Sequence, residues 1–315
     1  MSKWRRQLLP FVSLLLVATI LSALEPEKFL TWSNLLNVLR RSSVNVIVAV
    51  GMTTIIVSGG IDLSVGSMLA FTGMIGAWTM LRIDPNVLTS QAAVAGTLAG
   101  IAAGSLCGLA NGILITKLKL PPFIVTLGTM SAFRGVSYVM NEGQPYNVPD
   151  YTRLGSSELL GIPVSVLISA VVAVLWVLLL RYTPLGHHAY AIGSNRQAAF
   201  HAGVKVDRSL IAIYTLGGLL VGLAAMIAAS RTVSAQPTAG ITLELDIIAA
   251  VVIGGASLSG GRGTVLGTLI GTLLISFLRN GCTLLGISTN VQLIVIGAII
   301  IAAVAVDRVA RTRAE

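Results

Sequence analysis

Few residues of this 315-residue chain are of a kind that does chemistry, and their spacing excludes most of it. The histidines His187, His188 and His201 fall in one polar segment with no cysteine and only Asp207 near enough in sequence to complete a ligand set. Zinc needs three or four ligands, so solvated loop residues are the better reading. Cys107 lies in a glycine-rich helix and Cys282 on an expected outer loop, without metal spacing. No lysine stands in a G-x-x-x-x-G-K-[ST] phosphate loop, and the glycine cluster GGASLSGGRG lacks that lysine too. Two ionisable groups stand out because apolar sequence surrounds them: Asp62 in SGGIDLSVGS, flanked by Ser64 and Ser67, and Arg134 in TMSAFRGVSY. In a bilayer such groups face a partner or an aqueous cavity. Asp62 reads as a carboxylate capping the helix that follows, or as a group lining a translocation path or pairing with a basic residue. Arg134 likewise reads as an ion pair or carbonyl clamp, or as a solute contact. No nucleophile, base and orienting group can be assembled, which argues against an enzyme.

The elements that hold these residues are apolar. Hydrophobic residues make up 55% of the chain and charged residues 10%, against about 25% charged in soluble domains. Ten segments approach the roughly 20 residues that cross a bilayer as a helix: 8–24, 44–57, 61–81, 90–116, 122–140, 163–180, 210–229, 246–258, 264–278 and 291–306. The expected fold is therefore all-α, a single polytopic membrane domain over 1–315 with about ten transmembrane helices. Segments 44–57, 246–258 and 264–278 are short, as buried, tilted or broken helices are. Basic residues collect in cytoplasmic loops. With both termini inside, 13 of the 21 basic residues are cytoplasmic, including Lys3, Arg5, Arg6, Arg308, Arg311 and Arg313, and 8 of the 12 acidic residues, including Glu244 and Asp246, are outside. The positive charge is scattered over short loops without a patch, which argues against nucleic acid. The first apolar run has a poor cleavage site and reads as an uncleaved helix.

Gly96, Gly100, Gly104, Gly108 and Gly112 recur every four residues on one helix face, where a neighbouring backbone can approach closely. Gly263, Gly267 and Gly271 repeat the pattern, as do Gly218 and Gly222. The longest cytoplasmic polar segment, 181–209, opens with a turn at Thr183-Pro184-Leu185-Gly186. Within it Asn195 is placed to cap a helix of about two turns that starts Arg196-Gln197-Ala198-Ala199 and stops at Gly203.

These residues carry a resemblance. Gln197-Ala198-Ala199-x-x-x-Gly203 is similar to the Glu-Ala-Ala-x-x-x-Gly loop of ABC-importer permeases, with Gln in place of the Glu. GMTTIIVSGGIDLSVGS, LPPFIVTLGTMSAFRG, SAQPTAGITLELDIIAAVVIGGASLSGG and GTLIGTLL, in that order, resemble the permeases of ribose/xylose-type sugar ABC importers, the ribose-type members most closely. The resemblance implies a bacterial inner-membrane permease that works as a homodimer, with cytoplasmic ATP-binding subunits carrying ATP and Mg and a periplasmic binding protein delivering the sugar. It implies no cofactor on this chain. It also makes 195–203 the coupling helix, with Gly193, Asn195, Arg196, Gln197, Ala198, Ala199 and Gly203 as the residues that meet the ATPase.

A neutral sugar asks for mildly polar lining, for which Asn45, Thr53, Thr54, Ser67, Thr72, Thr126 and Thr129 are placed by position, although each also suits helix packing. The outer loop 141–162 offers Glu142, Asp150 and Glu158 to a partner or to solvent, and FLTWSNLLNVLRR reads as an interfacial amphipathic helix. SGGIDLSVGS and IGGASLSGGRG are weakly alike, which suggests duplicated helix–turn–helix units. An ion-coupled sugar carrier and a permease for another small polar solute, such as a furanosyl signalling molecule, are the competing readings.

Overall fold

The computed structural model describes residues 3–86 and 88–312, with side chains described for 11–86, 88–299 and 301. Arg313 and the side chains of Lys3, Arg5, Arg6, Arg308 and Arg311 lie outside the described residues. The described chain is helical: α1 (Lys3–Leu24), α2 (Trp32–Val57), α3 (Val65–Ile83), α4 (Ser90–Lys117), α5 (Pro122–Val139), α6 (Val164–Tyr182), α7 (Pro184–Ser194), α8 (Arg196–His201), α9 (Val206–Thr232), α10 (Leu243–Ile253), α11 (Val265–Leu284) and α12 (Thr289–Thr312). Four two-residue strands pair outside the helices: β1 (Tyr146–Asn147) with β4 (Ser234–Ala235), and β2 (Glu158–Leu159) with β3 (Ile162–Pro163). Ten helices overlap the ten expected segments. Among the described residues α2, α4, α6, α9 and α11 are long and apolar enough to cross a membrane by length and composition. The exposed apolar side chains lie on helix faces, such as Val94, Leu98 and Leu106 of α4 and Val171, Val174 and Leu175 of α6, a distribution that suits a hydrocarbon solvent.

Four sequence expectations need correction. The interfacial helix and the short span 44–57 are one continuous helix, α2, because no Gly or Pro interrupts Trp32 to Val50 and Thr31 caps it by accepting from Asn34 N–H. The turn at 183–186 begins a helix. Thr183 accepts from Gly186 N–H and Pro184 occupies the first helical position, where its missing N–H costs nothing. Cys282 belongs to α11 rather than to an outer loop. Glu158 is taken by Arg40 of α2 in an ion pair, and the loop around it folds onto the bundle through buried Val148 and Tyr151.

The core is built on α4 and α9. A Cβ on Gly112 would stand 2.8 Å from Ile211 Cα, and one on Gly104 2.8 Å from Gly222 N. Gly108 abuts the Tyr214 carbonyl, while Gly96 and Gly100 face Gly76 and Thr72 of α3. Bare backbones meet because lipid supplies no hydrophobic drive between helices, so close packing and weak contacts must hold them. Gly267 and Gly271 of α11 meet Gly254 and Ala250 of the α10 side in the same way, whereas Gly263 lies ahead of the helix. Polar side chains tie neighbours laterally: Thr53 and Thr268 share a 2.7 Å hydrogen bond, Trp176 Nε1 donates to Thr54 Oγ1 at 2.8 Å, and the amides of Asn34 and Asn280 bond reciprocally.

Candidate coupling surface and broken-helix cavity

One end of the bundle carries α7 and α8. Asn195 separates them in an extended conformation and its Oδ1 accepts from Ala198 N–H at 2.9 Å, a cap worth about 1 kcal/mol. Gly203 turns the chain at φ +86°, and Val204 N–H closes back on the Ala199 carbonyl. Ala199 is buried with Ile192, Val206 and Leu210, which fixes α8 against α7 and α9. Phe200, on the other side, is 67% exposed. Beside α8 opens a cleft of about 870 Å³, lined by Lys117, Arg196, Phe200, Lys205 and Arg208 among others, with Asp207 its single acidic residue. Arg196 reaches Asp207 at 3.5 Å, an exposed contact worth no more than about 1 kcal/mol.

α7 delivers this element rigidly to the bundle. Gly193 packs on the Val57 carbonyl, and a Cβ there would stand 2.6 Å from Gly261 N. Gly261 N–H donates to Val57 O at 2.8 Å, and Tyr190 Oη donates to Gly263 O at 2.8 Å. The ends of α2 and α7 and the α10–α11 turn therefore meet backbone to backbone. The two similar glycine-rich stretches, 58–67 and 253–263, are brought together here, with Gly193 between them.

Asp62 lies in the first of these stretches, buried to 2% exposure. It does not cap α3. The helix starts at Val65 with Ser64 in the capping position, and Asp62 Oδ1 accepts from both Ser64 N–H (2.8 Å) and Ser64 Oγ (2.6 Å). Ser64 Oγ accepts from Asn111 Nδ2 of α4, and Ser67 Oγ donates to Ser64 O. Thr126 Oγ1 of α5 donates to Ile61 O. The aspartate thus shapes a buried turn that locks α3, α4 and α5 together. Among the described residues no cation pairs with it.

The second feature is a break between α9 and α10. Segment 233–242 is non-helical, with the strand β4 its one regular element, and it lies along α3. Ala235 stands opposite Gly73, and Gly240 opposite Gly66, where a Cβ would be 3.3 Å from Gly240 C. Gly73 and Gly66 are seven helix residues apart, so the segment descends about 10 Å alongside α3 before α10 begins. Gly240 and Thr242 both adopt positive φ. α10 adds 11 residues, about 16 Å, and ends at Gly254 near the α8 end. The short segment 246–258 is therefore the lower half of a broken span. Glu244 and Asp246 lie in the first turn of α10, where Asp246 is buried and bonds Arg279 Nη2 of α11 at 2.7 Å.

Irregular backbone at this depth needs donors from protein. Arg134 supplies them: its Nη1 donates to the carbonyls of Pro237 (2.6 Å) and Ala239 (2.8 Å). Around the break is a cavity of about 260 Å³, lined by α2, α3, α9 and 234–243, including Asn45, Gly73, Ser234, Gln236 and Gly240. Of the seven side chains placed by position as lining groups, Asn45 alone reaches it. Thr53, Thr54, Ser67, Thr72, Thr126 and Thr129 spend their hydroxyls on bonds within the bundle. Ser234 and Gln236 escape a reading by composition, although SAQPTAG, a Pro- and Gly-interrupted stretch before a short apolar segment, is the signature of a discontinuous helix.

A helical membrane bundle with a rigidly mounted external helix and an interrupted span is a transport permease by class. The chain belongs to the family described as branched-chain amino acid transport system, permease component, which matches residues 34–304. It is 45% identical to the ribose import permease protein RbsC of Bacillus subtilis, over 95% of this chain and 92% of that protein. It is 42% identical to the ribose import permease protein RbsC of Escherichia coli, over 96% and 94%. It is 38% identical to the D-allose transport system permease protein AlsC of Escherichia coli, over 95% and 90%. No solved structure matches the chain. The protein is a multi-pass permease of the bacterial inner membrane.

Proposed function

We propose that this chain is the membrane subunit of an ATP-driven importer for ribose or a closely related monosaccharide. It works as a homodimer with about ten crossings per copy and both termini on the cytoplasmic side. The observation that carries the reading is α8: a capped six-residue helix, seated on the core through Ala199 and presenting Phe200 beside a basic cleft. A partner that rearranges on ATP hydrolysis would grip such an element and turn its motion into rigid-body movement of the helices, because the contacts of Gly193 leave no slack. Gly193, Asn195, Arg196, Gln197, Ala198, Ala199 and Gly203 are the residues proposed to form or position this contact. ATP and Mg belong to the partner, and the opposite end receives the sugar from a binding protein.

The relatives named for ribose and for D-allose both support a neutral monosaccharide as cargo. The test is uptake of radiolabelled D-ribose by proteoliposomes containing this chain, its ATP-binding subunit and its binding protein. Expected is uptake that needs ATP and is blocked by vanadate. Uptake that proceeds without ATP and collapses with an ion gradient would overturn the reading.

A further inference from the structure

We infer that the cavity at the break between α9 and α10 is a binding site for an uncharged polyhydroxylated solute, a single sugar ring, held by Asn45, Ser234 and Gln236 within each copy of the chain. The inference deepens the proposed function by giving the cargo a site.

Three observations converge on it. First, the cavity holds one buried polar group that is unspent. Ser234 is nine-tenths buried and its Oγ has no hydrogen-bond partner. Asn45, half-buried, and Gln236, exposed to solvent, line the same cavity. Most polar groups elsewhere in this bundle are satisfied internally, and a buried hydroxyl left unpaired is costly unless something else completes it. Second, the proposed ligand groups are neutral, although Arg231 and Thr232 also line the cavity. Two amides and a hydroxyl each donate and accept, which matches sugar hydroxyls. No carboxylate lines the cavity, and the lining Arg231 turns its Nη1 toward the carbonyls of Arg40 and Arg41 of α2. A solute's ammonium group would find no counter-charge there, and Arg231 is the one charged lining residue, whose reach toward an anion the ribose 5-phosphate control tests. Third, the size is right for one ring. At 260 Å³ the cavity has the liquid volume of roughly nine waters. Its walls include Gly73 and Gly240, so a solute can lie directly against backbone.

The site should bind weakly, since a transported solute must leave. The experiment uses the full-length permease in nanodiscs, without ATPase or binding protein, and measures binding of radiolabelled D-ribose and D-allose, with ribose 5-phosphate and leucine as charged controls. Expected is saturable binding of at least one neutral sugar and none of the charged controls. Asn45→Ala, Ser234→Ala and Gln236→Ala should each weaken it by roughly fivefold. Ser234→Ala adds a readout that a packing role would not give: removing an unpartnered hydroxyl should leave the melting temperature of the sugar-free protein unchanged or raised. Absence of neutral-sugar binding, or affinities unchanged in all three variants, would overturn the site. In the complete importer the two failures separate. Normal ATP-driven ribose uptake by all three variants would refute this site and leave the proposed function intact, whereas no sugar uptake by the wild-type complex would refute the function itself.

Discussion

Replacing Gly104 by alanine tests how the bundle is held. A Cβ at Gly104 would stand 2.8 Å from Gly222 N and 2.9 Å from Gly222 Cα, and it would also crowd the Gly218 carbonyl. Carbon atoms in contact prefer 3.5–4.0 Å, so the shortfall is roughly 0.6–1 Å. All three obstacles are backbone, and no side-chain rotation relieves them. α4 and α9 must separate along their seam, and a gap of that width forfeits a quarter to a half of the dispersion energy of each affected contact. Overpacking of this kind costs about 1–3 kcal/mol. The helix preference for alanine over glycine returns roughly 0.5–1 kcal/mol. Gly128 on α5 supplies the control, because a Cβ there meets nothing within 4 Å. Gly128→Ala collects the same propensity gain without the clash, so the difference between the two variants isolates the packing cost, about 1–3 kcal/mol. Melting of both purified proteins in one detergent, followed by loss of the monodisperse chromatographic peak, should place Gly104→Ala several degrees below Gly128→Ala. If Gly104→Ala melts at or above Gly128→Ala, the backbone-to-backbone account of the α4–α9 seam is wrong.

The ion pair at the break predicts strong non-additivity. Asp246→Leu or Arg279→Met alone should destabilise by up to about 3–5 kcal/mol, while the double variant recovers most of the loss, because a lone buried charge costs more than no charge. Melting of the four proteins measures the coupling, and simple additivity would count against the pair. Arg134→Met leaves the carbonyls of Pro237 and Ala239 without their donor, at about 1–3 kcal/mol for each buried acceptor that stays unsatisfied. Amide exchange should then accelerate in 233–242 and not in α4, and Arg134→Lys should fall between. For Asp62, Asn retains the Oδ1 acceptor and Ala does not. Asp62→Asn should keep normal stability and sugar uptake while Asp62→Ala melts lower, and a stable Asp62→Asn protein with no uptake would assign the carboxylate to transport instead. Gln197→Glu places a negative charge in the first turn of α8, favourable by about 0.3–1 kcal/mol toward the helix dipole. Retained ATP-driven uptake is the expected result, and uncoupled ATP hydrolysis would show that the added charge disturbs the docked partner.

Much of the architecture was legible residue by residue. Asn195 and Gly203 announce α8 by their capping chemistry, and the glycine spacing of α4 announces a face for close approach, since both signals act within a turn or two of helix. Boundaries set by competition were harder to read. Thr183-Pro184 looks like a turn and starts a helix, because Pro serves equally well at either position. Asp62 looks like a cap and serves a buried turn, because the choice between capping and turning depends on Ser64 and Asn111, the latter 49 positions away in the chain.

By itself the amino-acid sequence determined that this protein lives in a membrane, since apolar length and scarcity of charge admit no other solvent. It also showed that no lysine stands in a G-x-x-x-x-G-K-[ST] motif and that a capped helix lies outside the apolar runs. Only the tertiary structure decided which polar groups are spent and which remain free. Hydropathy cannot show that Arg134 reaches across to the Pro237 and Ala239 carbonyls, or that Ala235 and Gly240 lie alongside Gly73 and Gly66. A local pattern reports each side chain's preference for water or lipid, whereas a cavity is defined by partners brought from distant segments. Asn45 and Gln236 line one cavity only because α2, α3 and α9 pack around the break before α10.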